Sequence, residues 1–104
     1  MHAIVRRYEG IDTKRTDELK RKVDDSLMPS LTKLPGFSGY FLIEAGEGVM
    51  SSVNFFDTSA QADESSRVVA NWLREEKLES VVPNPPKITG GEVIVHRTNG
   101  AVRA

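Results

Sequence analysis

The stretch Gly39–Phe56, "GYFLIEAGEGVMSSVNFF", decides the fold. Two runs of β-favouring residues flank "AGEG", which reads as two strands joined by a tight connection. Side chains alternate across a strand, so each run has two faces. Gly39, Phe41, Ile43, Val49, Ser51, Val53 and Phe55 form one set, and Tyr40, Leu42, Glu44, Met50, Ser52, Asn54 and Phe56 the other. The first set, the more uniformly apolar, is expected to face the core. The second mixes aromatics, hydroxyls, an amide and an acid, and is expected to face outward.

Helical spacing appears on either side of this hairpin. Upstream, Leu19, Val23, Leu27, Leu31 and Leu34 make one stripe between a capping position at Asp12 or Thr13 and a stop at Pro35-Gly36. Pro29 lies inside that stripe and predicts a kink or break near Leu27–Met28, because proline lacks the N–H of the helical ladder. Downstream, Thr58 and Gln61 have capping-box spacing ahead of a stripe of Ala62, Val69, Trp72 and Leu73. A short turn is expected around Leu78–Val82, then an extended surface loop at "PNPP" (83–86). "HAIVRRY" (2–8) and "GGEVIVHR" (90–97) read as the first and last strands.

The order β-α-β-β-α-β predicts an α+β, ferredoxin-like domain over residues 1–97, with a loose tail at 98–104. The sheet should be four-stranded and antiparallel, with both helices on one face. Strands one and three should be central, with strand four beside strand one. The outward face would then expose Ile4, Tyr8, Tyr40, Leu42, Met50, Phe56 and Ile94, a patch large enough to predict a homodimer of face-to-face sheets.

Composition bounds the function. The 104 residues contain no cysteine, which excludes thiolate chemistry, and carry a formal charge of −1. A sequence pI near 6.1 argues against nucleic acid or an anionic membrane as a partner. The charged start "MHAIVRRYEG" does not resemble a signal peptide, so a cytoplasmic protein is expected.

The run from "PGFSGYFLIEAGEGVMSSVNFFD" through "ANWLREE" to "PNPPKITGGEVIVHR" resembles the antibiotic-biosynthesis monooxygenase-like proteins of the dimeric α+β barrel superfamily, uncharacterised bacterial members above all. The resemblance implies a ferredoxin-like protomer, a barrel-forming homodimer, and relatives that include cofactor-independent oxygenases and haem-degrading enzymes. The haem-degrading members carry an asparagine on the first strand and a tryptophan–histidine pair further on. This chain has Arg6 and Arg7 on that strand, and its histidines are His2 and His96. That departure argues against haem degradation.

Within that frame the candidate residues are few. His96, on the last strand, is the candidate general base, against the plainer reading of an exposed strand-end histidine. Register would set His2 opposite His96, too few ligands for a metal, and none is expected. Arg6 would face Glu92 in an ion pair, or else anchor an anionic or phenolate ligand. Ser52 and Asn54 could hold an oxyanion or bound dioxygen, or simply satisfy backbone groups. Tyr8 and Tyr40 could orient a substrate, and Trp72 could wall a pocket or only anchor the core. The expected cavity lies at the dimer barrel, lined by Arg6, Tyr40, Asn54 and His96. Cofactor-independent monooxygenation of a small aromatic or anionic molecule there is one expected function. The other is non-catalytic or stress-related small-molecule binding. An RNA-recognition module shares the element order, but "PGFSGYFLI" lies on the second strand, has no leading basic residue, and puts Gly39 where an aromatic is needed.

Overall fold

The computed structural model describes residues 1–98; of the expected tail at 98–104, all but Thr98 lies outside the described residues. Four antiparallel strands form one sheet: β1 (His2–Tyr8), β2 (Gly39–Gly46), β3 (Val49–Phe56) and β4 (Lys87–Glu92). Their order is β2-β3-β1-β4, so β1 and β3 are central and β4 lies beside β1, as the element order predicts. The helical layer comprises α1 (Thr16–Lys22), α2 (Met28–Thr32) and α3 (Ser59–Glu75).

Pro29 does not break the first helix. A single π-helical turn, Val23–Leu27, joins α1 to α2, and the Met28 N–H reaches back to the Val23 carbonyl. Pro29 then falls in the first turn of α2, where a missing N–H costs nothing. Val23, Leu27 and Leu31 thereby all stay buried against the sheet. At α3 the expected capping box forms: Gln61 N–H donates to Thr58 Oγ1 at 3.2 Å, and Thr58 N–H to Gln61 Oε1 at 3.1 Å.

The two faces of the sheet are the reverse of the sequence expectation. The helices cover Ile4, Arg6, Tyr8, Met50, Ser52, Asn54 and Phe56, all buried. The uncovered face carries Phe41 and Ile43, 58% and 48% exposed, with Ala3, Val5, Val53 and Phe55 half-buried around them. Both faces are apolar enough to pass for a core, so alternation alone does not fix which one takes the helices. Phe56 has no exposed surface and packs edge-on against Phe37, with ring centroids 5.8 Å apart. On the open face Phe55 meets Phe41 in a similar geometry at 6.2 Å.

The last strand also differs. It pairs over Lys87–Glu92 instead of 90–97, and its register sets Glu92 opposite His2 and Ile88 opposite Arg6. The β-branched run "VIV" (93–95) lies beyond the strand, with Ile94 89% exposed. Local β-preference pointed to that run, whereas pairing with β1 selects the segment that includes Gly90 and Gly91.

Candidate functional site

Arg6 organises the layer between sheet and helices. Strand alternation turns it inward from the central strand β1, where it is 1% exposed. Nη1 donates to Asn54 Oδ1 at 3.2 Å. Nη2 donates to Ser65 Oγ at 2.7 Å and to Ser66 Oγ at 2.9 Å, both on α3. Ser65 is itself satisfied, since its hydroxyl donates to the Ala62 carbonyl at 2.5 Å. The expected Arg6–Glu92 ion pair is not formed, because β4 is registered four residues away from that pairing. Glu92 instead approaches the N-terminal ammonium at 3.5 Å and His2 Nδ1 at 4.0 Å.

A guanidinium remains protonated in proteins, so a full positive charge is buried here without a carboxylate contact among the described residues. Burial lowers the Arg6 pKa, and the nearby phenols of Tyr8 and Tyr40 oppose that. Among the described residues, Arg6 Nε and Asn54 Nδ2 are buried nitrogens with no hydrogen-bond partner. Buried polar atoms are rarely left so, and a group with spare donors inside a protein is poised to take an acceptor.

Two tyrosines stand beside this cluster. Tyr40 lies opposite Asn54 on β2, and Tyr8 opposite Met50 on β1. Burial pushes the Tyr40 phenol up to about 12, Tyr8 adds to the rise and Arg6 opposes it. Burial also raises Tyr8, again against Arg6. Both phenols are therefore neutral donors near pH 7, suited to orient a ligand and not to remove a proton from it.

Tyr8, Tyr40, Leu42, Ser52 and Trp72 line a cavity of about 40 Å³ between the sheet and the helices, with Val23 and Leu27 of the π-helical segment in its wall. Such a space holds water, whereas sites for drug-sized ligands run to roughly 300–1,000 Å³. Trp72 is tied to the helical wall: its Nε1–H donates to Ser26 Oγ at 2.7 Å. A second cavity of about 130 Å³ opens between α3 and β4, lined by Arg6, Tyr8, Ser66, Val69, Ala70, Leu73, Pro86 and Ile88.

The fold thus places these residues under the helices, with Arg6 bonded to Asn54 and with Tyr40, Ser52 and Trp72 around the smaller cavity. His96 is not brought to them. It is exposed, lies past the end of β4 and lines neither cavity. Ser65 and Ser66 were not singled out from the sequence, although Ser65 lies on the buried stripe between Ala62 and Val69, where a hydroxyl needs a partner. Among the described residues, no group of three or more His, Asp and Glu side chains could hold a metal ion.

Comparison with solved structures shows the same fold in several proteins. A monooxygenase of Streptomyces coelicolor, solved with nanaomycin D, is 14% identical, with 94% of this chain and 91% of that one covered and a TM-score of 0.70. A protein of unknown function from Nitrosomonas europaea is 17% identical, with coverage of 94% and 93% and a TM-score of 0.73. A variant of MhuD with two manganese protoporphyrin IX molecules per active site is 15% identical, covers 95% and 100%, and has a TM-score of 0.73. The resemblance to antibiotic-biosynthesis monooxygenase-like proteins thus holds at the level of the fold. No protein-family model matches the sequence, and no curated protein matches it.

Proposed function

We propose that this chain is a cytoplasmic, homodimeric protein that binds a small aromatic or anionic molecule between its sheet and helices. The observation that carries the reading is the convergence of Arg6, Asn54, Ser52, Tyr8 and Tyr40 on an otherwise apolar layer. A few aimed polar groups within apolar walls are the usual composition of a small-molecule site. The π-helical segment, tied to Trp72 through Ser26, forms the wall that must shift to admit a ring, since the cavity is too small for one.

Cofactor-independent monooxygenation is the second reading, favoured by the ligand-bound monooxygenase among the similar structures. A suitable substrate is a phenol with hydrogen on its para carbon. It gives four electrons to one dioxygen; one oxygen atom becomes the second carbonyl of a quinone, and the other leaves as water with the two hydrogens. Solvent would take the phenol proton before the substrate enters and return it to the departing water, Arg6 would stabilise the phenolate, and Asn54 Nδ2 would donate to reduced oxygen. His96 lies away from these groups, so His96→Ala should leave uptake unchanged.

The homodimer is proposed through the open face, because Phe41, Ile43, Val5, Val53 and Phe55 form a continuous apolar surface there. A stable interface should bury more than about 1,000 Å². Sedimentation at micromolar concentration should give a dimer, and Phe41→Glu a monomer; a monomeric wild type refutes the pairing.

A thermal screen with phenols and their methyl ethers, followed by an oxygen electrode on every hit, tests the site. Stabilisation with one dioxygen consumed per quinone supports the oxygenase. Stabilisation without uptake supports the binder, and no stabilisation by any member overturns both.

A further inference from the structure

We propose that the cavity between α3 and β4 is a separate compartment for a small apolar monocarboxylate, held by Arg6 and Ser66. It deepens the anionic half of the proposed function by giving the anion its own space and chemical class, and rests on that reading through Arg6, which both share.

The donors are counted first. A guanidinium offers five N–H groups. Asn54, Ser65 and Ser66 accept three of them, which leaves Nε–H and one Nη1–H. Ser66 accepts from Arg6, and its own hydroxyl proton has no acceptor among the described hydrogen bonds, unlike that of Ser65. Both Arg6 and Ser66 line the cavity. Ser66 therefore brings an unused hydroxyl donor to the cavity, backed by the buried charge of Arg6, and among the described residues no carboxylate lines it.

The walls select the rest of the ligand. Val69, Leu73, Pro86 and Ile88 are apolar, and the volume of about 130 Å³ is close to the roughly 150 Å³ that accommodates benzene in an engineered apolar cavity. A single cation matches a single negative charge, and a carboxylate can accept from the Ser66 hydroxyl while lying against the guanidinium. Entry is on the exposed side, where Ala70 and Ile88 border the opening. Tyr8, Val69 and Leu73 line both cavities, so a ring-bearing acid could place its carboxylate here and its ring towards Tyr40.

The test uses three probes on the intact chain: acetate for charge alone, benzyl alcohol for the ring alone, and benzoate for both. Melting temperature and calorimetric titration are read at constant ionic strength. Acetate and benzoate at ten times their dissociation constants should each raise the wild-type melting temperature by roughly 5–10 °C. Ser66→Asp sets a carboxylate on the guanidinium and should abolish both effects while itself raising the melting temperature. Ala70→Leu narrows the opening without touching the polar cluster; should Ser66→Asp fold poorly, it must blunt the acetate effect instead. Acetate that stabilises wild type and variants equally, or not at all, overturns the compartment. Benzyl alcohol binding without acetate binding would remove the compartment and leave the aromatic site. Acetate binding without benzyl alcohol binding would do the reverse.

Discussion

Phe55 and Phe56 are sequence neighbours on opposite faces of one strand, and truncating each to alanine separates the two faces energetically. Phe56 has no exposed surface and packs with Ile4, Ala62, Leu34 and Phe37. Removing a ring of that kind costs about 3–5 kcal/mol, as transfer energy plus the cavity left behind. A domain of this size has roughly 5–15 kcal/mol in total, so Phe56→Ala should remove about a fifth of it or more. The melting temperature should fall by on the order of 15 °C or more, independently of protein concentration. Phe55 is half-buried and touches Phe41 on the uncovered face, so within one protomer its loss should cost about 1 kcal/mol. Any further loss from Phe55→Ala must come through dissociation of a dimer, and must therefore shrink as the protein is diluted, because a monomeric wild type has no dimer left to lose. Urea unfolding monitored by circular dichroism, over a hundredfold range of protein concentration, measures both terms. A larger concentration-independent loss for Phe55→Ala than for Phe56→Ala would show that the helices cover the other face and would refute the placement of the site.

Alkaline pH should destabilise the fold through Tyr40, whose folded-state pKa of about 12 exceeds its ordinary value of 10.0. The contribution is complete below pH 10, where both states keep the proton. It declines by up to about 1.4 kcal/mol per pH unit as pH rises towards 12, because only the unfolded chain has ionised. Tyr40→Phe should flatten that decline in urea titrations, and an unchanged slope would refute the burial of the phenol. Gly36→Ala should lower stability by about 1–2 kcal/mol in the same assay, because φ of 76° disfavours a side chain and the new methyl would collide with the Gln61 amide of the capping box. A stability equal to wild type would refute that contact.

Most of the architecture was legible because it depends on local chemistry. The period-two hairpin, the Thr58–Gln61 cap, the leucine stripe and the proline-rich loop each point to one conformation irrespective of distant partners. What sequence pattern did not carry was the pairing of surfaces. Phe41 and Ile43 look more like core than Ser52 and Asn54, yet the helices lie on the latter. The polar groups are tolerated there because Asn54 and the serines of α3 meet Arg6, a contact that no sequence spacing announces. Strand alternation sets Arg6, Tyr40, Ser52 and Asn54 on one face whichever way the sheet is turned, so their grouping was legible although that face was expected to point outward. His96 and the partner of Arg6 were misplaced for one reason. The apolar "VIV" run outranked "KITGGE" by β-preference, and register with β1 overrode that preference.

The π-helical turn at Val23–Leu27 has a consequence for how this chain can change length. Such a turn is what an α-helix forms when one additional residue is accommodated without displacing either end. Deleting Asp24, which is exposed within it, should let the turn rewind as ordinary α-helix while Met28–Thr32 keeps its seat on the sheet. Deleting Asp17 instead would rotate every later side chain of the first helix by about 100° and carry Leu19, Val23 and Leu27 off the core. The first helix therefore has one elastic joint, placed against the wall that a ligand would have to move, and single-residue gain or loss in evolution should concentrate there.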